Sequence, residues 1–127
     1  MRTLPFEIDN LNGGFMKAEG ILRVENGQMV FEFQKKDDVF EVYKSDLETA
    51  RIDLTKIEIV EYKKTLFGAR LKLFAASAST FQHLPGNDLT ERVLKIKKKH
   101  REVAASLASK VNIFLSEHKL KQLDDES

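Results

Sequence analysis

The chain has no cysteine and no tryptophan, only two prolines and only six glycines in 127 residues. Without cysteine there can be no disulfide, no thiolate nucleophile and no cysteine-ligated zinc. No excess charge of one sign exists either: 21 Lys and Arg against 20 Asp and Glu leave a formal charge of +1. No global field therefore draws in nucleic acid or membrane, and any such partner would have to be held by a local patch. No stretch approaches the roughly 20 apolar residues of a membrane-spanning helix. The N-terminus lacks the apolar run behind basic residues that marks a secretory signal. The expected location is the cytoplasm, with peripheral association at the membrane as the other state.

What the chain does have is enough for one core. Apolar residues make up 42% of it, nine of them Phe, which argues against disorder and for a single domain. Val103, Leu107, Val111, Phe114 and Leu115 recur at helical spacing, with Ala104 and Ala108 beside them. They predict one amphipathic helix from about Arg101 to about Leu120, with Phe114 and Leu107 in the core.

Almost everything before that helix reads as short strands. Thr3 to Ile8 is a first strand that Pro5 marks as an edge, followed by the turn cluster Asp9 to Gly14. Phe15 to Glu25 and Gln28 to Lys35 flank Asn26-Gly27, the pair that best tolerates the positive φ angles of a type I′ hairpin. Val39 to Lys44 is expected as a strand with Phe40 and Val42 inward, then a polar connection at Ser45 to Thr49 and a short strand at Arg51-Ile52. A corner at Asp53 to Lys56 leads to Ile57–Lys63, with Ile57 and Ile59 on one face. Thr65 to Gly68 is a hairpin tip, and Ala69 to Ala75 returns. Thr80 to Leu84 is expected as a brief strand and Thr90 to Lys97 as the last. The fold class is mainly β with one C-terminal α-helix: an antiparallel, strongly bent sheet or partly open barrel of about seven strands, capped by the helix. Residues 1–14 form an N-terminal extension, 15–120 the domain, and 121–127 a frayed acidic tail.

That order of elements resembles the pleckstrin-homology-like superfold, in particular its small bacterial and GRAM-type members. The likeness is carried by Ile52-Asp53-Leu54, Ile57 and Lys64-Thr65-Leu66-Phe67-Gly68-Ala69-Arg70-Leu71, and by a final strand running into an amphipathic helix. It implies a binding or scaffolding module. Eukaryotic phosphoinositide binders of that superfold carry a basic motif around the loop joining the first two strands. Here that loop is expected at Glu25-Asn26-Gly27-Gln28, with only Arg23 basic nearby, and a two-residue turn leaves no cradle. Those members also carry a Trp in the final helix, a place Phe114 is expected to fill.

Two clusters stand out as candidate sites. At the hairpin tip, Leu66 and Phe67 are flanked by Lys63, Lys64 and Arg70, a pattern suited to an anionic membrane surface or a partner's pocket; the alternative is that both apolar residues fold back and plug the barrel end. Before the helix lies the run Lys95, Lys97, Lys98, Lys99, His100 and Arg101, which either holds an anion or merely solubilises a strand edge. No cofactor, metal or catalytic set is legible. His83, His100 and His118 share no ligand spacing, and His83 with Asp88 lacks a third orienting group. Nucleic acid is disfavoured because the basic run has no aromatic neighbour in sequence. The chain is expected to bind a protein partner without catalysing a reaction, with anionic lipid as the alternative and a homo-oligomer left open. If both cationic clusters converge on one face the lipid reading gains; if they diverge it loses.

Overall fold

The computed structural model describes residues 2–126. Seven antiparallel strands form one sheet that does not close, followed by one helix. The strands are β1 (Leu4–Leu11), β2 (Met16–Glu25), β3 (Gln28–Asp37), β4 (Glu48–Asp53), β5 (Ile57–Lys64), β6 (Gly68–Ala75) and β7 (Glu91–Lys97). They lie in the order β4-β3-β2-β1-β7-β6-β5, and α1 (Arg101–Glu126) completes the chain.

Alternation produces the core. Ala18 and Leu22 on β2, Met29, Phe31 and Phe33 on β3, Leu71 and Leu73 on β6, and Leu94 and Ile96 on β7 all point inward. Phe6 meets Phe31 edge-on, with ring centroids 5.8 Å apart and planes at 86°. Asn26 and Gly27 adopt φ of 51° and 73°, as the type I′ hairpin requires. On the opposite face, Val30 is also buried. Its register neighbours are Arg23 and Arg51, whose guanidinium groups reach Glu32 at 2.6 Å and Glu25 at 3.8 Å, laying their stems beside it.

The structure corrects several expectations. β1 is neither an extension nor an edge: it lies mid-sheet between β2 and β7. Its pairing with β7 is confined to Glu7↔Lys95, so Pro5 sits where that ladder has already parted and no donor is needed. Val39 to Lys44 is not a strand. The Asp37 carboxylate accepts the N–H groups of Val39 and Phe40, both at 2.8 Å, and turns the chain out, leaving Phe40 and Val42 exposed. β4 pairs with β3 instead. Ile57 and Ile59 do not share a face, because a register shift between them buries Ile57 and Val60 and exposes Ile59. Thr80 to Leu84 forms turns, with Phe81 and Leu84 sent into the core.

The helix buries Val103, Ala104, Leu107, Ala108, Val111 and Leu115. Phe114 is not among them: it is 38% exposed and stacks on His118 at 6.2 Å. The large aromatic expected from the helix comes instead from Phe81. The helix also runs through Lys121–Glu126, the segment expected to fray; Ser127 lies outside the described residues. Asn112 ties the helix to the sheet. Its side chain accepts from Val60 N–H at 2.9 Å and donates to Val60 C=O at 2.7 Å, occupying the outer edge of β5 as another strand would.

Candidate functional site

The β5–β6 turn is closed by the Thr65 N–H donating to the Gly68 carbonyl at 3.0 Å, and one side chain gathers its carbonyls. Arg101, the first residue of α1, donates from Nε to the Gly68 carbonyl at 2.6 Å and from a terminal nitrogen to the carbonyls of Thr65 and Leu66. A guanidinium presents its donors in a rigid fork, so it can gather several carbonyls at once. Gly68 is needed at the base of the turn because a Cβ there would come within 2.1 Å of the Ile96 carbonyl oxygen. With the main chain fixed, Leu66 and Phe67 point away from the protein, 80% and 85% exposed. They do not plug the barrel end.

Cations surround this tip. Lys63 and Lys64 end β5, Arg70 stands on β6, Lys97 ends β7, and Lys98 and Lys99 occupy the short 3-10 turn before α1. Register brings the two sequence clusters together: Lys63 is opposite Arg70, and Arg70 is opposite Lys95. Like charges placed directly opposite across strands are unfavourable. Lys95 finds Asp9 at 3.4 Å, but Lys63, Lys64, Arg70, Lys97, Lys98 and Lys99 form no ion pair among the described residues. Lys98 and Lys99 also oppose the helix dipole, at a cost of a few tenths of a kcal/mol each.

The other half of the sheet treats its cations differently. Arg23 is engaged by Glu25 and Glu32, and Lys17 and Lys36 by Glu19 and Glu41. Burial pulls the Lys17 ammonium down, but Glu7, Glu19, Glu41 and Asp38 together raise its pKa above the ordinary value. Unneutralised positive charge is thus concentrated where the apolar tip projects.

Three open clefts surround the tip. One of about 470 Å³ is lined by Tyr62, Lys64, Lys98, Lys99 and Glu102. A second, about 320 Å³, opens where β1 and β7 part beside Pro5 and is lined by Lys95, Lys97, Lys99 and His100 together with Glu7 and Glu19. The third, about 200 Å³, lies under Phe67 between Arg70 and Lys97. Lysines and an arginine gathered in this way are chemically suited to an anion, and the exposed pair to an apolar contact. The loop joining β1 and β2 is Asn12 to Phe15, not the Asn26-Gly27 turn, and it carries no Lys or Arg. The cleft at that end, about 420 Å³, has Lys35 as its one cation.

No family model, curated protein or solved structure matches the chain.

Of the residues proposed from sequence, Lys63, Lys64, Phe67, Arg70, Lys97, Lys98 and Lys99 come together around the tip. Arg101 joins them, but its donors are turned onto the main chain, which makes it the support of the tip. Tyr62 was missed. Its position on β5 next to Lys63 and Lys64 was visible, but its place beside Lys98 and Lys99 depends on where α1 begins. With Tyr62 and Phe67 nearby, the basic run does have aromatic neighbours in space.

Proposed function

We propose that this chain is a non-catalytic, pleckstrin-homology-like binding module that attaches peripherally to anionic membrane surfaces through the β5–β6 tip. The observation that carries it is the convergence of two cationic clusters, of whose lysines and arginines only Lys95 meets an acid among the described residues, around an outward-held Leu66-Phe67 pair. A sheet of seven antiparallel strands followed by one helix supports the fold assignment. Lysines, an arginine and two exposed apolar side chains dominate the site, a composition that favours holding a ligand. Each Lys or Arg close to an anionic leaflet contributes about 1 kcal/mol, and burying each large apolar side chain roughly 1.5–3 kcal/mol. No helix among the described residues is long and apolar enough to cross a membrane.

Co-sedimentation with phosphatidylglycerol and phosphatidylcholine vesicles, at low and moderate salt, tests the proposal. Binding is expected to anionic vesicles only and to weaken with salt. Lys63→Glu with Lys64→Glu should reduce affinity by about tenfold or more, from the loss of about 1 kcal/mol per cation, and Phe67→Ser should weaken what remains. Unchanged binding in these variants would remove the tip as the site. A second reading, attachment of a protein strand, has its own support in β4, a terminal strand of the sheet that, among the described residues, has none beside it. Failure to bind vesicles at either salt would leave that reading.

A further inference from the structure

The molecule has a second apolar tip, built like the first but with the opposite charge. It lies at the other end of the strands: the register places Met16 and Asp37 at one end of the β2–β3 ladder, and Gly68 with Lys97 at the far end of the β6–β7 ladder from Phe74 and Glu91. Here the Asp37 carboxylate takes the N–H groups of Val39 and Phe40, and the Asp38 N–H donates to the Phe15 carbonyl at 2.9 Å. Lys17 and Lys36 bind Glu41, and Tyr43 lies under Lys36 and donates to Glu19 at 3.3 Å, so the loop is pinned to the β2–β3 surface. Phe15, Val39 and Phe40 are left 66%, 65% and 78% exposed. With the β2 and β3 residues that meet it, the loop is net acidic: Glu19, Asp37, Asp38, Glu41, Asp46 and Glu48 outnumber Lys17, Lys35, Lys36 and Lys44, with Lys17 paired to Asp38 at 3.6 Å.

One apolar tip is thus held by an acid and sits among acids; the other is held by an arginine and sits among bases. Both are fixed in advance by bonds to their own main chain, which lowers the ordering cost of docking. Exposed apolar side chains of this size mark contact surfaces when they cluster, and these two clusters are complementary in charge.

We propose that the chain self-associates head to tail, the acidic Val39-Phe40 tip of one copy docking against the basic Leu66-Phe67 tip of the next. The two surfaces differ, so the contact is heterologous and leaves a free tip on each end of a pair; it builds chains or rings rather than stopping at a two-fold dimer. The inference does not rest on membrane binding, since the acidic tip has no part in vesicle contact. The basic tip is shared, however, so anionic vesicles and a second copy compete for it.

Sedimentation velocity of the wild-type chain, across concentration and at low and moderate salt, should show species that grow with concentration and shrink with salt. Two blocked variants make the test specific: Lys64→Glu with Phe67→Ser at the basic tip, and Asp38→Lys with Phe40→Ser at the acidic tip. All four side chains are exposed, and melting near the wild-type temperature checks that each variant folds. Each variant alone should be monomeric. An equimolar mixture should form a heterodimer and nothing larger, because one competent pair of tips remains. The acidic-tip variant should still bind anionic vesicles. A wild-type chain that stays monomeric at every concentration at low salt, oligomers that persist in either blocked variant, or a mixture that fails to dimerise would each overturn the proposal.

Discussion

Arg92 shows how much one side chain can hold. It is buried, and desolvation lowers its pKa, yet its guanidinium donates to the carbonyls of Phe81, Leu84, Gly86, Asp88 and Glu91 and lies 5.4 Å from the Phe81 ring. It organises the long β6–β7 connection as Arg101 organises the β5–β6 turn. Arg92→Met should cost roughly 2–4 kcal/mol, because carbonyls left without donors carry their full desolvation penalty; urea unfolding measures this, and a loss below about 1 kcal/mol would show that water replaces the guanidinium. Asp37 offers a pH-dependent readout. The N–H of Phe40 holds its carboxyl below the ordinary 3.8 against the opposing effect of burial, with help from the N–H of Val39 and the charge of Lys44. A depressed folded value means that its contribution is complete above 3.8 and is lost as the pH falls through the folded pKa. The Val39 and Phe40 amide resonances should therefore titrate together with a midpoint below 3.8; a midpoint at or above it would show that the carboxylate does not hold the loop.

At the scale of elements, the helix does two jobs with two faces. Leu107 and Leu115 fill the core, and truncating either to Ala should cost about 2–5 kcal/mol. Phe114→Ala should cost under about 1.5 kcal/mol, since a partly exposed ring gives up less transfer energy; comparable losses for all three in thermal melts would contradict the geometry. Asn112 performs the second job by covering the β5 edge. Asn112→Ala should raise hydrogen exchange at the Val60 amide selectively, with a stability loss of about 1 kcal/mol, as for one or two hydrogen bonds that water can replace. Unaltered protection at Val60 would mean that the edge is covered by something else. β4, at the other end of the sheet, has no such cover among the described residues, so the two edges are not equivalent as strand-docking sites.

Across the whole molecule, near-neutral net charge conceals a segregated distribution. On the β2–β3 surface Lys17, Arg23 and Lys36 meet acids, while Lys63, Lys64, Arg70, Lys97, Lys98 and Lys99 at the β5–β6 tip and the β7–α1 junction meet none among the described residues. Arg70 is the centre of the Lys63–Arg70–Lys95 row. Arg70→Glu should stabilise the fold by a few tenths to about 1 kcal/mol, as replacing like-charge cross-strand pairs by opposite ones does, while weakening attachment to anionic vesicles. Destabilisation by this substitution would show that the row is not repulsive. Stability given up at a site in exchange for binding is a common pattern in proteins, and here one substitution measures both sides.

The positions of most strands, the Asn26-Gly27 hairpin, the basic tip and the start of the helix were legible in the sequence, because each depends on side-chain alternation or turn chemistry within a few residues. Where the reading failed, something distant competed: the Asp37 side chain took the amides of Val39 and Phe40, a bulge put Ile59 outside, and Arg92 drew Thr80 to Leu84 into turns. The placement of β1 in mid-sheet and the opposition of Lys63, Arg70 and Lys95 were decided by the tertiary structure alone. Sequence by itself determined that this chain carries cations, an apolar hairpin at Leu66-Phe67 and enough core for one β-rich domain. Only strand register decided which of those charges face one another, because register is fixed by packing and pairing between segments far apart in the chain.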